Sequence, residues 1–268
     1  MKIISLQPSV TIILEHLGCL DSLAACTKYC LDAVPALRFR NLPVVRDSWS
    51  TKSEDLLHVS ADLVIASVPY RNESLAAILR SGRPVLALAP HSLVDVFSDI
   101  RLIANTMHLA EKGEAVVASM QTAIDSVRAR TRSVAHRPLV YCEEWGKPLI
   151  HSQPWVAELV EIAGGCFLGT PGATTTSDAI AAGQPDVILT AWCGAGSRVP
   201  LEKIIARRNW HGLPAVRASR VYCVADELLN TPAPTLIHGL HAIASAIHPD
   251  IFTLSIPNAI RRIRPQRP

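Results

Sequence analysis

Residues 109–134 read LAEKGEAVVASMQTAIDSVRARTRSV and lie in the middle of the chain. This stretch contains no proline, and its one glycine, Gly113, lies near its start. Apolar residues recur at helical spacing and predict a single apolar face: Leu109, Val116, Met120, Ala123 and Val127. Acidic residues come early and arginines late, an order that suits the helix dipole. Because such a helix is about 39 Å long, we interpret it as a strut between two halves of the chain; the alternative is a surface helix of one α/β domain.

Apolar runs alternate with amphipathic segments on both sides of this helix. The runs 62–67 (DLVIAS) and 186–191 (DVILTA) are nearly continuous, as buried parallel strands are. We therefore predict an α/β protein with two similar Rossmann-like lobes, each built on a small parallel sheet. The predicted boundaries are an N-terminal lobe at 1–107, a linking backbone helix at 108–135, a C-terminal lobe at 136–258 and a solvated basic tail at 259–268.

A short internal repeat supports two related halves. Each half has a threonine, an acidic residue three positions later, and after eight more residues the aspartate that begins a buried run: Thr51, Glu54 and Asp62, then Thr175, Asp178 and Asp186. The first spacing is typical of a capping box at a helix N-terminus. We therefore predict that Glu54 and Asp178 cap short helices.

The composition of the chain limits the classes of protein to which it can belong. The chain has 268 residues, 49% hydrophobic and 18% charged, enough for one large domain or two smaller ones. A net charge of +3 gives no reason to expect a nucleic-acid partner. Seven scattered cysteines without a CxxC pair favour a reducing compartment over a disulfide framework. The sequence is also compatible with one disulfide between two of them. No apolar run is long enough to span a membrane.

Catalytic signatures are absent: the chain has no GxSxG, phosphate-loop, GxGxxG or HExxH motif. Glu143 and Glu144 follow a predicted strand, where we expect a solvated pair. His238 and His241 share a predicted helix face, but nothing nearby completes a metal site. We therefore predict no catalytic residue, no metal site and no intrinsic cofactor. The alternative is an enzyme acting on a cofactor-like ligand, with Glu143, Glu144 or Cys142 as reactive groups.

Aromatic residues are only 5% of the chain, yet five stand at predicted strand ends or in the loops that follow them: Tyr29, Trp49, Tyr70, Trp145 and Trp192. A ring at the carboxyl edge of a parallel sheet faces the usual ligand crevice of α/β folds. This pattern predicts a binding site for a large planar ligand. Trp155 and Trp210 are expected to pack inside their lobe instead.

Several segments resemble, in order, one known family. They are residues 3–11 (IISLQPSVT), 27–30 (TKYC), 140–145 (VYCEEW), 158–165 (ELVEIAGG) and 185–188 (PDVI). They are similar to the cobalamin-binding proteins of ABC importers, which belong to the helical-backbone, class III periplasmic binding proteins. The same family includes ferric-siderophore and haem binders. The resemblance covers nearly the whole chain and implies a non-enzymatic, monomeric carrier whose two lobes hold a corrinoid between them, with one rigid helix joining the lobes.

The resemblance also implies roles for individual residues. The ligand, cobalamin or a related corrinoid, would contact Tyr29, Trp49, Tyr70, Trp145, His151 and Trp192. His151 would approach the cobalt as an axial ligand or, alternatively, serve as a structural hydrogen-bonding residue. Glu54 and Asp178 would dock on an ABC importer permease.

Three alternatives to a corrinoid importer remain open at this stage. One is a ferric-siderophore or haem carrier, for which only Arg71, Lys147 and Arg198 offer cations near the predicted loops. The second is a corrinoid-binding protein without a transport role, and the third is the enzyme above. No signal peptide is visible, so we expect a periplasmic protein if a signal was removed and a cytoplasmic one if Met1 is the native start.

Overall fold

The computed structural model of the chain describes residues 1–253 and 259–263. The chain divides into two compact units, Met1–Ser119 and the residues from Met120 onward. The division falls inside the long helix, so the separate linking segment 108–135 stays a prediction. No helix of the described residues is both long and apolar enough to cross a bilayer.

The first unit contains a five-stranded parallel sheet. Its elements are β1 (Ile3–Ser5), α1 (Pro8–His16), β2 (Leu23–Thr27), α2 (Lys28–Ala33), β3 (Val44–Val45), α3 (Ser53–Leu57), β4 (Leu63–Ser67), α4 (Asn72–Leu79), β5 (Val85–Leu88) and α5 (Leu93–Thr106). The strand order is β3-β2-β1-β4-β5, and every neighbouring pair is parallel. Ile4 of β1 and Val64 of β4 are fully buried in its core, as their continuous apolar runs predict.

The long helix, α6, runs from Ala110 to Thr131, close to its predicted span. Its buried residues recur every three or four positions: Gly113, Val117, Met120, Ile124, Val127 and Thr131. The predicted apolar face is wrong by one residue at two positions, because Val116 and Ala123 are only half-buried while their neighbours Val117 and Ile124 are buried. Both alternatives are apolar, so spacing alone did not separate them. A Cβ on Gly113 would lie 2.5 Å from that of Ala104, so this glycine permits close packing on α5.

The second unit contains a seven-stranded mixed sheet. Its elements are β6 (Leu139–Gly146), β7 (Leu149–His151), α7 (Pro154–Ile162), β8 (Cys166–Phe167), β9 (Thr174–Thr175), α8 (Ser177–Gly183), β10 (Val187–Thr190), α9 (Leu201–Arg208), α10 (Pro214–Arg217), β11 (Val221–Val224), α11 (Leu236–Ile247) and β12 (Ile260–Arg262). The order is β12-β11-β10-β6-β7-β9, with β8 also on β6. The centre (β11, β10, β6, with β8) is parallel, while β7, β9 and β12 are antiparallel. Two α/β units, the first with a parallel sheet and the second with a sheet whose centre is parallel, confirm the predicted fold class.

Two predictions for the second unit are wrong. Residues 143–146 are not an exit loop but the end of β6, because they pair with β7 in a hairpin. Residues 260–262 of the predicted solvated tail form β12 on β11. There the Arg261 guanidinium donates to the Ser197 and Val199 carbonyls, and Arg262 donates to the Ser219 carbonyl. The remaining tail, 264–268, lies outside the described residues.

Candidate functional site

The first unit carries three of the predicted aromatic residues, each just after a strand of its parallel sheet. Tyr29 is the second residue of α2 and follows β2, Trp49 follows β3, and Tyr70 follows β4. Because the carboxyl ends of parallel strands lie at one edge of a sheet, all three belong to the same edge of this unit.

Trp49 presents an exposed indole. Its side chain is 45% exposed, and the Arg71 guanidinium lies 5.0 Å from its ring centroid. The backbone beneath the ring is fixed: Ser74 Oγ donates to the Trp49 carbonyl at 2.7 Å, and the Trp49 N–H donates to Asp47 Oδ1 at 3.2 Å. The guanidinium makes a cation–π contact with the ring, and the fixed backbone makes the exposed indole a rigid surface for contact.

The two tyrosines differ from one another. Tyr29 is exposed, with Lys28 Nζ 4.8 Å from its ring centroid. Tyr70 is half-buried against the core of its unit, and its hydroxyl donates to the Leu88 carbonyl. Burial, with a smaller effect of the Asp99 charge, raises the pKa of Tyr70 to about 12. Tyr29 therefore offers a ring to solvent, whereas the hydroxyl of Tyr70 is already used within its own unit.

In the second unit, Trp145 lies near the end of β6 and is 42% exposed. Its Nε1 donates to the carbonyl of Lys147 in the adjoining hairpin turn at 2.9 Å. The indole N–H is therefore satisfied within the hairpin, and the ring faces solvent.

Trp192 follows β10 and is half-buried. Its Nε1 donates to Glu143 Oε1 at 2.8 Å. The same carboxylate accepts the Tyr141 hydroxyl at 2.6 Å and two hydrogen bonds from Arg208, at 2.6 and 2.9 Å. The predicted solvated Glu143 is therefore wrong: it is fully buried in an ion pair. Burial, followed by the Glu143 charge, raises the pKa of Tyr141.

His151 is 3% exposed and lies inside the second unit. Its ring meets that of Tyr141 edge-on, with centroids 5.4 Å apart, and a Cβ on Gly169 would lie 2.3 Å from its Cε1. Its Nδ1 has no hydrogen-bond partner among the described residues, and burial lowers its pKa. The imidazole is therefore enclosed within its own unit, and its axial role stays a prediction.

Glu54 does not cap its helix as predicted. Asp55 performs this role: its carboxylate accepts the Lys52 N–H at 2.9 Å and pairs with Arg46 at 2.7 Å. The Thr51 hydroxyl donates instead to the Arg46 carbonyl at 2.6 Å. Glu54, the second residue of α3, is exposed.

Asp178 repeats this arrangement in the second unit. It is the second residue of α8 and is exposed, while Thr176 Oγ1, not the predicted Thr175, accepts the Ala179 N–H at 3.2 Å. Within residues 1–253 and 259–263, neither Asp178 nor Glu54 forms a hydrogen bond or an ion pair. The predicted capping role is wrong for both carboxylates, which face solvent at equivalent helix positions; their docking role stays a prediction.

The reactive groups of the enzyme alternative are mostly inaccessible. Cys142 is fully buried, and burial raises the pKa of its thiol. Glu143 is held in its ion pair. Half-buried Glu144 accepts from Gln153 Nε2 at 2.6 Å and from the Cys193 thiol at 3.7 Å, and burial raises the pKa of Glu144. Across the described residues, no cluster of three or more metal-binding side chains occurs, and the seven cysteines are free thiols.

Sequence reasoning missed Arg208 and the helix α9 that carries it. The segment 201–208 (LEKIIARR) contains the signal, since Leu201, Ile204 and Ile205 recur at helical spacing and are buried. Nothing local indicates the partner of Arg208, because Glu143 lies 65 residues earlier.

A cavity of about 410 Å³ opens elsewhere on the second unit. It is lined by Arg128, Ala157, Glu158, Glu161, Ile162, Phe167, Gly169 and Pro171. None of the predicted ligand residues lines it, so it is not the site that the sequence predicts.

Residues 3–228 match the periplasmic binding protein family. The chain belongs to this family. A relative of this periplasmic binding protein is the ABC transporter substrate-binding lipoprotein YvrC of Bacillus subtilis, 27% identical over 94% of this chain and 81% of its own length. The match confirms the family-level resemblance and identifies the chain as a substrate-binding protein.

Two solved structures illustrate the shared fold. A periplasmic haem-binding protein from Pseudomonas aeruginosa has a TM-score of 0.86 at 18% identity, covering 100% of this chain and 99% of that one. The vitamin B12 binding protein of Vibrio cholerae has a TM-score of 0.72 at 22% identity, covering 92% of this chain and 96% of that one. At these identities the similarity concerns the fold alone.

Proposed function

We propose that this periplasmic binding protein is the substrate-binding component of an ABC importer, acts outside the cytoplasmic membrane, and binds a corrinoid such as cobalamin. Trp49 of the first unit and Trp145 of the second are its main ligand contacts, with Tyr29, Tyr70 and Trp192 as further contacts. The protein supplies no intrinsic cofactor; the corrinoid is its cargo.

The observation that carries this proposal is the difference in exposure among four of the five tryptophans. Trp155 and Trp210 are 3% and 1% exposed, whereas Trp49 and Trp145 are 45% and 42% exposed. Exposed indoles at the carboxyl edge of a sheet provide large, rigid contact areas that lose little conformational entropy on binding. Rings of this kind suit a ligand that is itself large and planar.

A second candidate, haem or a ferric siderophore, is favoured by one contact. Arg71 is exposed and lies over Trp49, where a guanidinium would pair with a ligand carboxylate. The other cations near the predicted loops, Lys147 and Arg198, are also exposed. The two structural relatives above carry haem and vitamin B12, respectively, according to their names, so this fold accommodates both ligand classes.

Titration with hydroxocobalamin and with haemin tests the proposal and separates the candidates. Trp49→Ala and Trp145→Ala should each weaken hydroxocobalamin binding about tenfold or more, whereas Trp155→Phe, a buried control, should not. Arg71→Gln should leave hydroxocobalamin affinity unchanged if the cargo is a corrinoid. If haemin binds more tightly than hydroxocobalamin and Arg71→Gln weakens haemin binding, the ligand is haem-like and not a corrinoid. If both alanine variants bind with the affinity of the wild type, the two indoles do not contact the ligand.

We further propose that Glu54 and Asp178 are docking residues for the permease. Both carboxylates are exposed at the second position of a short helix and are not used in capping. Glu54→Arg and Asp178→Arg should abolish binding to a permease complex in proteoliposomes without changing ligand affinity. Glu73→Arg and Glu202→Arg are matched controls, since each alters an exposed glutamate at the second position of another helix. Equal loss in the controls would contradict a specific docking role.

A further inference from the structure

The second unit contains a buried carboxylate, that of Glu143, with several hydrogen-bond donors around it. It is fully buried and accepts four hydrogen bonds, from Tyr141, Trp192 and both terminal nitrogens of Arg208. A buried carboxylate is strongly destabilising unless it is paired and its oxygens are satisfied. The bidentate guanidinium supplies that pairing, so Arg208 is the counter-ion of the carboxylate to which Trp192 donates.

Trp192 is held from two sides. Its indole N–H is fixed by Glu143 Oε1. A Cβ on Gly146 would lie 2.3 Å from Trp192 Cζ2, so the ring packs directly against backbone that has no side chain. The ring is only half-buried and therefore keeps a free part at the carboxyl end of β10.

The loop that follows Trp192 is also fixed. The Asp226 carboxylate accepts the N–H groups of Gly194 and Gly196 at 2.7 and 2.6 Å. Asn230 Nδ2 donates to the Ala191 carbonyl, just before Trp192, at 2.6 Å. The backbone on both sides of the ring is therefore anchored to the segment that follows β11.

The Trp192 N–H fills the fourth acceptor position of the Glu143 carboxylate, after the Tyr141 hydroxyl and the two Arg208 nitrogens. The same hydrogen bond that satisfies the buried carboxylate therefore also fixes the ring that the sequence pattern assigns to the ligand. A ring already fixed in its bound orientation loses less entropy on association, which raises affinity without adding a contact.

We propose that Glu143 and Arg208 are positioning residues that hold Trp192 in one orientation for ligand contact. This inference rests on the proposed function, because it assigns Trp192 to the ligand site. Neither Glu143 nor Arg208 touches the ligand; both act through the indole.

The test uses the full chain labelled with 5-fluorotryptophan and observed by ¹⁹F NMR. Trp192→Phe assigns the Trp192 resonance and keeps an aromatic ring without the N–H. Arg208→Lys keeps the charge but removes the bidentate geometry. Arg207→Lys is the matched control, since Arg207 is the exposed neighbour on α9.

In Arg208→Lys we expect the Trp192 resonance to shift or broaden while that of Trp155 stays in place. Hydroxocobalamin should bind about tenfold more weakly to both Arg208→Lys and Trp192→Phe, with far-UV circular dichroism unchanged. Arg207→Lys should match the wild type in resonance and affinity. If Arg208→Lys does not fold, Trp192→Phe still tests whether Trp192 contacts the ligand. Unchanged hydroxocobalamin affinity in Trp192→Phe overturns the inference.

An unmoved Trp192 resonance in folded Arg208→Lys, or a moved resonance with unchanged affinity, also overturns the inference. Failure of the proposed function has a different signature. In that case the wild type binds neither hydroxocobalamin nor haemin, which removes the ligand role of Trp192, while the resonance measurement still reports whether Arg208 orients the ring.

Discussion

Asp62 and Asp186 make the same pair of hydrogen bonds in their respective units. The Asp62 carboxylate accepts the Lys2 N–H at 2.6 Å, and the Asp62 N–H donates to the Lys2 carbonyl at 2.8 Å. The Asp186 carboxylate accepts the Leu139 N–H at 2.8 Å, and the Asp186 N–H donates to the Leu139 carbonyl at 2.8 Å. Each aspartate therefore joins the starts of two neighbouring parallel strands, and the internal repeat extends into the hydrogen bonding.

Removing the Asp186 acceptor should destabilise the protein. Asp186→Ala leaves the partly buried Leu139 N–H without its partner, which should lower the free energy of unfolding by about 1 kcal/mol. Asp62→Ala should cost less, because Asp62 is exposed and water can replace its carboxylate. Urea denaturation of both variants measures the difference. A larger loss in Asp62→Ala would contradict this account of the paired strand starts.

Substitution of Asp55 and Glu54 should separate capping from docking. Asp55→Asn removes the Arg46 ion pair and weakens the bond to the Lys52 N–H, so it should lower the free energy of unfolding by about 1 kcal/mol. Glu54→Gln should change it by less than about 0.5 kcal/mol, as is usual for exposed side chains. Chemical denaturation compares the two variants. A clear loss of stability in Glu54→Gln would mean that Glu54 does cap α3.

Gly146 should tolerate no side chain while Trp192 keeps its place. Gly146→Ala puts a methyl group 2.3 Å from the indole, so we expect a loss of stability of about 1–3 kcal/mol as the ring is displaced. Gly212→Ala is the control, because the nearest atom that its Cβ would meet is 4.0 Å away. Thermal unfolding of both variants provides the comparison, and equal melting temperatures would mean that Trp192 does not pack on Gly146 in solution.

His151 should make the protein less stable in acid. Burial lowers its pKa below the ordinary value of 6.5, so the folded state keeps the ring neutral while the unfolded chain takes up a proton near that pH. Stability should therefore fall as pH drops below about 6.5. His151→Phe removes this contribution, so the difference in free energy of unfolding between wild type and variant should favour the variant more at pH about 5 than at pH about 7.5. A difference that does not change with pH would mean that His151 is not buried as a neutral ring.

The regular elements were the most predictable part of the fold. The span of α6 follows from its apolar period and from the absence of proline, and the buried strands β4 and β10 follow from DLVIAS and DVILTA. Within α6, the choice between Val116 and Val117 depended on tertiary packing, which sequence spacing does not contain. The predicted caps of α3 and α8 were wrong for a related reason. Asp55 and Thr176, which cap these helices, lie one residue from the predicted positions, and the sequence alone favours neither position over the other.

Of the candidate site, the sequence predicted which tryptophans are exposed and which are buried, but not which polar residues hold them. The exposure of Trp49 and the burial of Trp155 and Trp210 agree with their positions relative to predicted elements. Trp145 is exposed as well, although it lies in β6 and not in the predicted loop. The burial of Glu143 was not predictable, because a charged residue is buried only with a partner, and that partner comes from α9, far along the chain. The rigid position of Trp192 was missed for the same reason.

Equilibrium dialysis of the purified protein against hydroxocobalamin tests most directly whether the ligand is a corrinoid. We expect saturable binding of one corrinoid per chain with a micromolar or lower dissociation constant, and binding about tenfold or more weaker in Trp49→Ala and in Trp145→Ala. Absence of saturable binding, or binding to both alanine variants as tight as to the wild type, would contradict this proposal.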